Sequence, residues 1–141
     1  SDLGDHIVKI TPAGVLSFFA GGGNGTADGL GLAAKFNSPD GLAVDNNDNI
    51  YVADNNNGLI RKITPGGLVS TFAGNLSERG ATDGQGASAT FMNPAGIAID
   101  GSGNIYVGDV GDNLIRKITP EGMVTTIAGN GTKGSTNGNA L

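Results

Sequence analysis

Cysteine is absent from the 141 residues, which excludes disulfide staples and thiolate metal sites without fixing a redox compartment. Basic residues are scarce. The 8 Lys and Arg stand against 13 Asp and Glu for a net charge of −5, and they form no cluster that could neutralise a row of phosphates, so nucleic acid is not an expected partner. No window approaches the roughly 20 apolar residues that span a bilayer as a helix. Histidine occurs once, at His6, and glutamate only at Glu78 and Glu121, both in loops or turns. Histidine-based metal or acid-base chemistry needs partners that this chain does not offer. There is no Ser-His-Asp set and no G-x-S-x-G elbow. No catalytic residue, no metal and no cofactor is therefore expected here, although further blades could carry a site.

What the chain has instead is glycine, 26 residues of it, placed at fixed positions of a repeat rather than in a low-complexity tract. That pattern points to a folded, turn-rich chain. The segment F-x-x-P-x-G-[LI]-A-[VI]-D-x-x-x-N-I-Y-V-x-D begins at Phe36 and again at Phe91, and L-I-R-K-I-T-P-x-G follows at Leu59 and Leu114. Pro39 and Pro94, like Pro65 and Pro120, are 55 residues apart. Self-similarity at such a period marks stacked supersecondary units.

One unit reads as four short strands. Gly41 to Asp45 is the first (a) and Asn49 to Ala53 the second (b), and the Asn46-Asn47-Asp48 cluster between them has the turn chemistry of a hairpin. Leu59 to Ile63 is the third (c) and Leu68 to Ala73 the fourth (d), with Thr64-Pro65-Gly66-Gly67 as the turn. Gly96 to Asp100, Asn104 to Gly108, Leu114 to Ile118 and Met123 to Ala128 repeat the plan, with Val44 becoming Ile99 and Phe72 becoming Ile127. Apolar character is kept where a core needs it. His6 to Pro12 and Val15 to Gly21 match only strands c and d.

The expected fold is all-β, a β-propeller of four-stranded antiparallel blades, about two and a half in this chain. The expected divisions are residues 1–35 (half blade and connecting loop), 36–90 (blade and loop) and 91–141 (blade and loop). In the linkers D-G-x-G-x-x-A-x-F, at Asp28 to Phe36 and Asp83 to Phe91, Ala33, Ala34 and Lys35 predict one helical turn capped by the Asp.

These motifs resemble the NHL repeat, particularly the long form common in extracytoplasmic bacterial proteins. P-x-G-[LI]-A-[VI]-D at Pro39 and Pro94, N-I-Y-V-x-D at Asn49 and Asn104, and I-R-K-I-T-P-x-G at Ile60 and Ile115 carry the likeness. The resemblance implies a propeller of typically six blades, and so either a piece of a longer chain or copies associating through open blade faces. Ser1-Asp2 and Gly138 to Leu141 cut the pattern in mid-unit, which favours the first. Related propeller enzymes, lactonase-type hydrolases and a peptide-amidating lyase, place carboxylates or several histidines around the channel, a set this sequence lacks.

Asp54 with Arg61, and Asp109 with Arg116, bracket the turn from strand b to strand c and are read as structural ion pairs, because every complete unit has them. Val8 replaces the arginine in the half unit. Asp45 to Asn49 has oxygen ligands at alternate positions, as a calcium loop does, but lacks the bidentate carboxylate further on, so it reads as a hairpin turn. The triplets at Asn24, Asn75 and Asn130 fit the N-glycosylation pattern and are expected by chance in so Asn- and Thr-rich a chain.

Strand parity puts the a-b and c-d turns at one end of a blade and the b-c and d-a loops at the other. The second end varies most between units: residues 22–26, 55–58, 75–82, 110–113 and 130–137. Variable loops on a rigid scaffold are where binding is built. Glu78 and Arg79, in a two-residue expansion, together with Asn56 and Asp112, are the expected binding residues. The expected function is a non-catalytic scaffold for a protein or small ligand in a secreted or cell-surface protein. The alternative is a self-assembling structural protein.

Overall fold

Tight turns set the architecture. In the computed structural model, which describes residues 4–135, each a-b hairpin turns at a left-handed residue, Asp48 (φ 61°) in one unit and Gly103 (φ 82°) in the next. Each c-d turn closes at a left-handed glycine, Gly67 (φ 84°) or Gly122 (φ 89°), with the Thr64 or Thr119 carbonyl accepting its N–H at 2.8 Å.

The strands are β1 (Ile7–Ile10), β2 (Leu16–Ala20), β3 (Gly29–Leu30), β4 (Pro39–Val44), β5 (Ile50–Asp54), β6 (Leu59–Ile63), β7 (Leu68–Ala73), β8 (Gly84–Gln85), β9 (Pro94–Ile99), β10 (Ile105–Asp109), β11 (Leu114–Ile118) and β12 (Met123–Ala128). They form an antiparallel pair, β1-β2, and two five-stranded antiparallel sheets ordered β3-β7-β6-β5-β4 and β8-β12-β11-β10-β9. The fold is thus all-β with propeller blades, as expected. The expected continuations at Ser1-Asp2, at residues 136–137 and from Gly138 to Leu141 lie outside the described residues.

The four expected strands of each full blade are present, and a fifth joins them. Two linker residues, Gly29–Leu30 or Gly84–Gln85, pair with the outer edge of β7 or β12 and give each full blade a fifth strand. This covers an edge that would otherwise present free N–H and C=O groups. The expected helical turn also moves. A 3-10 turn occupies Gly31–Ala33 and Gly86–Ser88, two residues earlier than read, and no side chain caps it. Each turn is held by main-chain bonds between units. The Gly21 N–H donates to the Gly31 carbonyl (3.1 Å) and the Gly31 N–H to that of Gly67 (2.9 Å); Gly74, Gly86 and Gly122 repeat this at 3.2 and 2.9 Å.

Blade packing follows the period of two. On β5, Tyr51 and Ala53 enter a core with Phe91, Ile105 and Val107 of the next blade. Val52 and Ile50 face a separate core with Ile7, Ala20 and Phe36. Both faces of one sheet are therefore buried, and each fully buried Ile, Leu or Phe contributes about 1.5–3 kcal/mol. The inner strands β4 and β9 approach closely: a Cβ on Gly41 would run into the carbonyl oxygen of Ala95. Among the described residues no helix is long and apolar enough to cross a membrane.

Candidate functional site

One buried arginine organises each full blade from within. Arg61 on β6 donates through Nη1 to Asp54 Oδ2 (2.9 Å) and the Lys35 carbonyl (2.9 Å), and through Nη2 to Asp28 Oδ1 (2.7 Å) and the Ala27 carbonyl (3.0 Å). Its guanidinium carbon lies 5.2 Å from the centre of the Phe36 ring. Arg116 repeats the arrangement with the carbonyls of Thr90 (2.8 Å) and Thr82 (2.9 Å), Asp83 Oδ1 (2.8 Å) and the Phe91 ring (5.1 Å), while Asp109 stands back at 3.9 Å. Asp28 and Asp83 are therefore not helix caps. They sit beside the arginines and accept from Thr71 and Thr126 on strand d. This arrangement explains why D-G, F and R recur together: the planar fork joins linker, strand b and strand c at once.

The buried carboxylates in these hubs, Asp54 and Asp109, are fully engaged. Asp54 also accepts from the Asn37 N–H (2.8 Å) and Asn57 Nδ2 (2.9 Å), and Asp109 from the N–H groups of Met92 (3.0 Å) and Asn93 (2.8 Å). Burial pushes both carboxyls above the usual carboxylate value, against the pull of those hydrogen bonds and of the arginines. At Asp83 burial acts the same way, but the bonds from Thr126 and Arg116 outweigh it and the net shift is downward.

At the turn end, Asp45 Oδ1 accepts from the N–H groups of Asn47 (2.8 Å) and Asn49 (2.9 Å), and Oδ2 from Asn49 Nδ2 (2.9 Å). Asp100 makes the same set with Ser102 and Asn104 and adds the Tyr106 hydroxyl at 3.0 Å. Asn104, foremost, and the other donors pull the Asp100 carboxyl down to about 2. Both oxygens in each turn hold the hairpin. His6 is likewise engaged, through Nδ1 with the Gly21 carbonyl and by its ring 4.6 Å from that of Phe18.

The loop end holds the residues expected to bind. Asn56 sits in the b-c loop, its Nδ2 donating to Ser38 Oγ at 2.9 Å. Arg79 reaches across from the d-a loop to the carbonyls of Met92 (2.7 Å), Asn55 (3.3 Å) and Asn56. The two are thus brought together, and the Arg79 head ties one blade to the next. Glu78 is exposed and makes no side-chain hydrogen bond among the described residues. Asp112 is half-buried in the next b-c loop, and its Oδ2 has no partner there. Its counterpart Asn57 donates to the Gly25 carbonyl at 2.7 Å, a bond a carboxylate cannot make.

Sequence reasoning missed a pocket of about 600 Å³ beside these loops, where the half blade meets the first full blade. Asp5, Asn24, Asn37, Ser38, Asp40 and Asn56 line it. Ser38 has φ 53°, in the left-handed region, and is pinned by Asp5 Oδ1, which accepts its N–H at 2.8 Å. The signal was available. Gly25 and Gly80, both with φ 142°, align Asn24 with Arg79, so the two-residue expansion falls before Arg79 rather than on it as expected. Asn24, Asn37 and Asp40 then differ from their counterparts Arg79, Met92 and Ala95 in the next unit. No Lys or Arg lines the pocket, so it suits a neutral or cationic guest.

Comparison with known proteins places this geometry. The family model for the NHL repeat matches residues 36–63, and that for the Teneurin NHL domain matches residues 75–140. NHL repeat-containing protein 2 from Bos taurus is 46% identical over 77 residues, 52% of this chain and 10% of its own length. Among solved structures, a structural genomics protein of unknown function from Bacteroides thetaiotaomicron superposes with a TM-score of 0.75 at 34% identity, over 80% of this chain and 29% of that one. An auxiliary nutrient binding protein from Bacteroides ovatus gives 0.68 at 28%, over 87% and 33%. Virginiamycin B lyase from Staphylococcus aureus, at 18% identity and a TM-score of 0.57 over 86% and 33%, shares the fold alone. The chain spans about a tenth of the curated relatives' length and about a third of those solved chains. With its 55-residue units, its blade topology and these matches in agreement, the chain belongs to the NHL-repeat β-propellers.

Proposed function

We propose that the chain is a non-catalytic binding scaffold, with its partner held at the end of the blades where the b-c and d-a loops meet. The observation that carries this is the polar pocket at that end, lined by residues that break the repeat. The likeness to an auxiliary nutrient binding protein supports a ligand-holding role, and the likeness to long-form repeats supports a secreted or cell-surface setting. The non-catalytic reading is supported by carboxylates engaged in arginine hubs and turns. Asn56, Glu78 and Asp112 are assigned to the binding face, and Arg79 to the same face as a brace between blades.

A second reading is self-association through open blade faces, favoured by Ile10, Leu16 and Phe18, which are exposed on β1 and β2. Sedimentation velocity separates it: concentration-dependent growth in mass that Phe18→Ser abolishes would support association. The scaffold reading is tested on glycan and peptide arrays. Binding should be lost in a triple Ala variant at Asn56, Glu78 and Asp112 and kept in one altered at Asn46, Asn47 and Ser102, at the turn end. The reverse pattern would overturn it.

A further inference from the structure

We propose that the pocket between the half blade and the first full blade receives an arginine side chain of a partner polypeptide. The proposal rests on the reading that the loop end is the binding end, and the chain itself supplies the precedent. At the next junction the equivalent cleft is filled by the protein's own Arg79. Asn24 and Arg79 occupy the same repeat position, each directly before a glycine with φ 142°, Gly25 or Gly80. The Arg79 guanidinium rests against Gly58, where a Cβ would collide with it, and donates to the carbonyls of Met92, Asn55 and Asn56.

Three exchanges convert this filled cleft into an open, acidic one. Asn24 stands where Arg79 does, which removes the resident guanidinium. Asp5 stands in the place of Gly58, given that Thr11 and Thr64 fix the offset at 53 residues, so a carboxylate lies where that guanidinium would rest. Asp40 stands in the place of Ala95 and adds a second. Both Asp5 and Asp40 line the pocket. Asp5 uses Oδ1 to hold the Ser38 N–H, and the described residues give Oδ2 no hydrogen bond. The main-chain acceptor persists as well: Asn37 stands for Met92, and its carbonyl, already accepting the Asn56 N–H at 3.1 Å, has a second lone pair.

The chemistry selects its guest. A guanidinium has five donors and no acceptor, and it matches carboxylates and carbonyls together. An anion would meet two carboxylates and no cation. At about 600 Å³ the pocket has room for the side chain and its flanking peptide.

The test is fluorescence anisotropy with a labelled Gly-Arg-Gly peptide, its citrulline isostere, and unlabelled acetyl-arginine amide as competitor. Saturable binding of the arginine peptide is expected, at least about tenfold tighter than the uncharged citrulline form and weakened by salt. Competition by the amide at equal strength would assign the site to any alkylguanidinium, whereas weak competition shows that the flanking peptide is read. Asn24→Arg should fill the cleft from within and lower affinity at least about tenfold. Asp40→Asn should lower it about two- to fivefold, as for an exposed charge. Asp5→Asn, which keeps an oxygen for Ser38, gives a second readout if Asn24→Arg does not fold. Equal binding of the citrulline peptide, or unchanged affinity in all three variants, would overturn the proposal. Absence of arginine-peptide binding alongside array ligands that still depend on Asn56, Glu78 and Asp112 would sink this proposal alone.

Discussion

Arg61 Nη1 lies 2.9 Å from Asp54 Oδ2 with both side chains wholly buried, whereas the matching pair Arg116 and Asp109 is separated by 3.9 Å. Removing one member of a buried pair strands the other charge, at a cost of about 3–5 kcal/mol. Asp54→Ala is expected in that range, and Asp109→Ala to cost less, since Arg116 keeps Asp83 and two carbonyls at 2.8–2.9 Å. Urea unfolding at fixed protein concentration measures both.

Gly41 and Gly96 hold the same repeat position in opposite surroundings. A Cβ at Gly41 meets the carbonyl of Ala95, while one at Gly96 meets nothing within 4 Å. Gly41→Ala should cost about 1–3 kcal/mol through strain between the inner strands. Gly96→Ala should be neutral or stabilise by up to about 1 kcal/mol by restricting the unfolded chain. Equal effects in thermal melts would contradict the close β4-β9 approach.

Asp112 offers a gain. Asp112→Asn restores the donor that Asn57 uses on Gly25, whose repeat counterpart is Gly80, and removes a like charge that adds to burial in raising the Asp109 carboxyl. The expected stabilisation is about 0.5–1.5 kcal/mol. A loss of stability would mean that the carboxylate has another use.

Acid behaviour follows from Asp100. Its folded value, about 2, lies below the ordinary 3.8, so its contribution to stability is present above 3.8 and lost as pH falls toward 2. Asp54 and Asp109 are displaced the other way by burial, and their share favours the fold at low pH and is lost as pH rises through their folded values. Melting temperature against pH should therefore fall less steeply between 3.8 and 2 in Asp100→Asn than in the parent chain. Identical slopes would show that the turn does not hold its carboxylate ionised.

The blades were legible because strand positions keep apolar residues while turns keep Gly, Asn and Asp, and both signals are local. The fifth strand was not. Two residues at Gly29–Leu30 carry no periodicity, and their place is set by main-chain pairing to β7 and by Asp28, whose arginine partner is 33 residues away. The helical turn was misplaced because propensity at Ala33, Ala34 and Lys35 is weaker than the bonds that fix Gly31 between Gly21 and Gly67. In the candidate site, Asn56 and Arg79 were visible as repeat-breaking residues, but not that the Arg79 head is engaged by carbonyls. The pocket was hidden because its walls come from four separated segments.

The central claim, that binding belongs to the loop end, is tested most directly by amide chemical-shift mapping with the Gly-Arg-Gly peptide. Saturable shifts at Asn24, Asn37, Ser38 and Asn56, with Asn46, Asn47 and Ser102 unmoved, are the predicted result. Shifts confined to the turn end would contradict it, whereas no shift at all would count against the arginine guest alone.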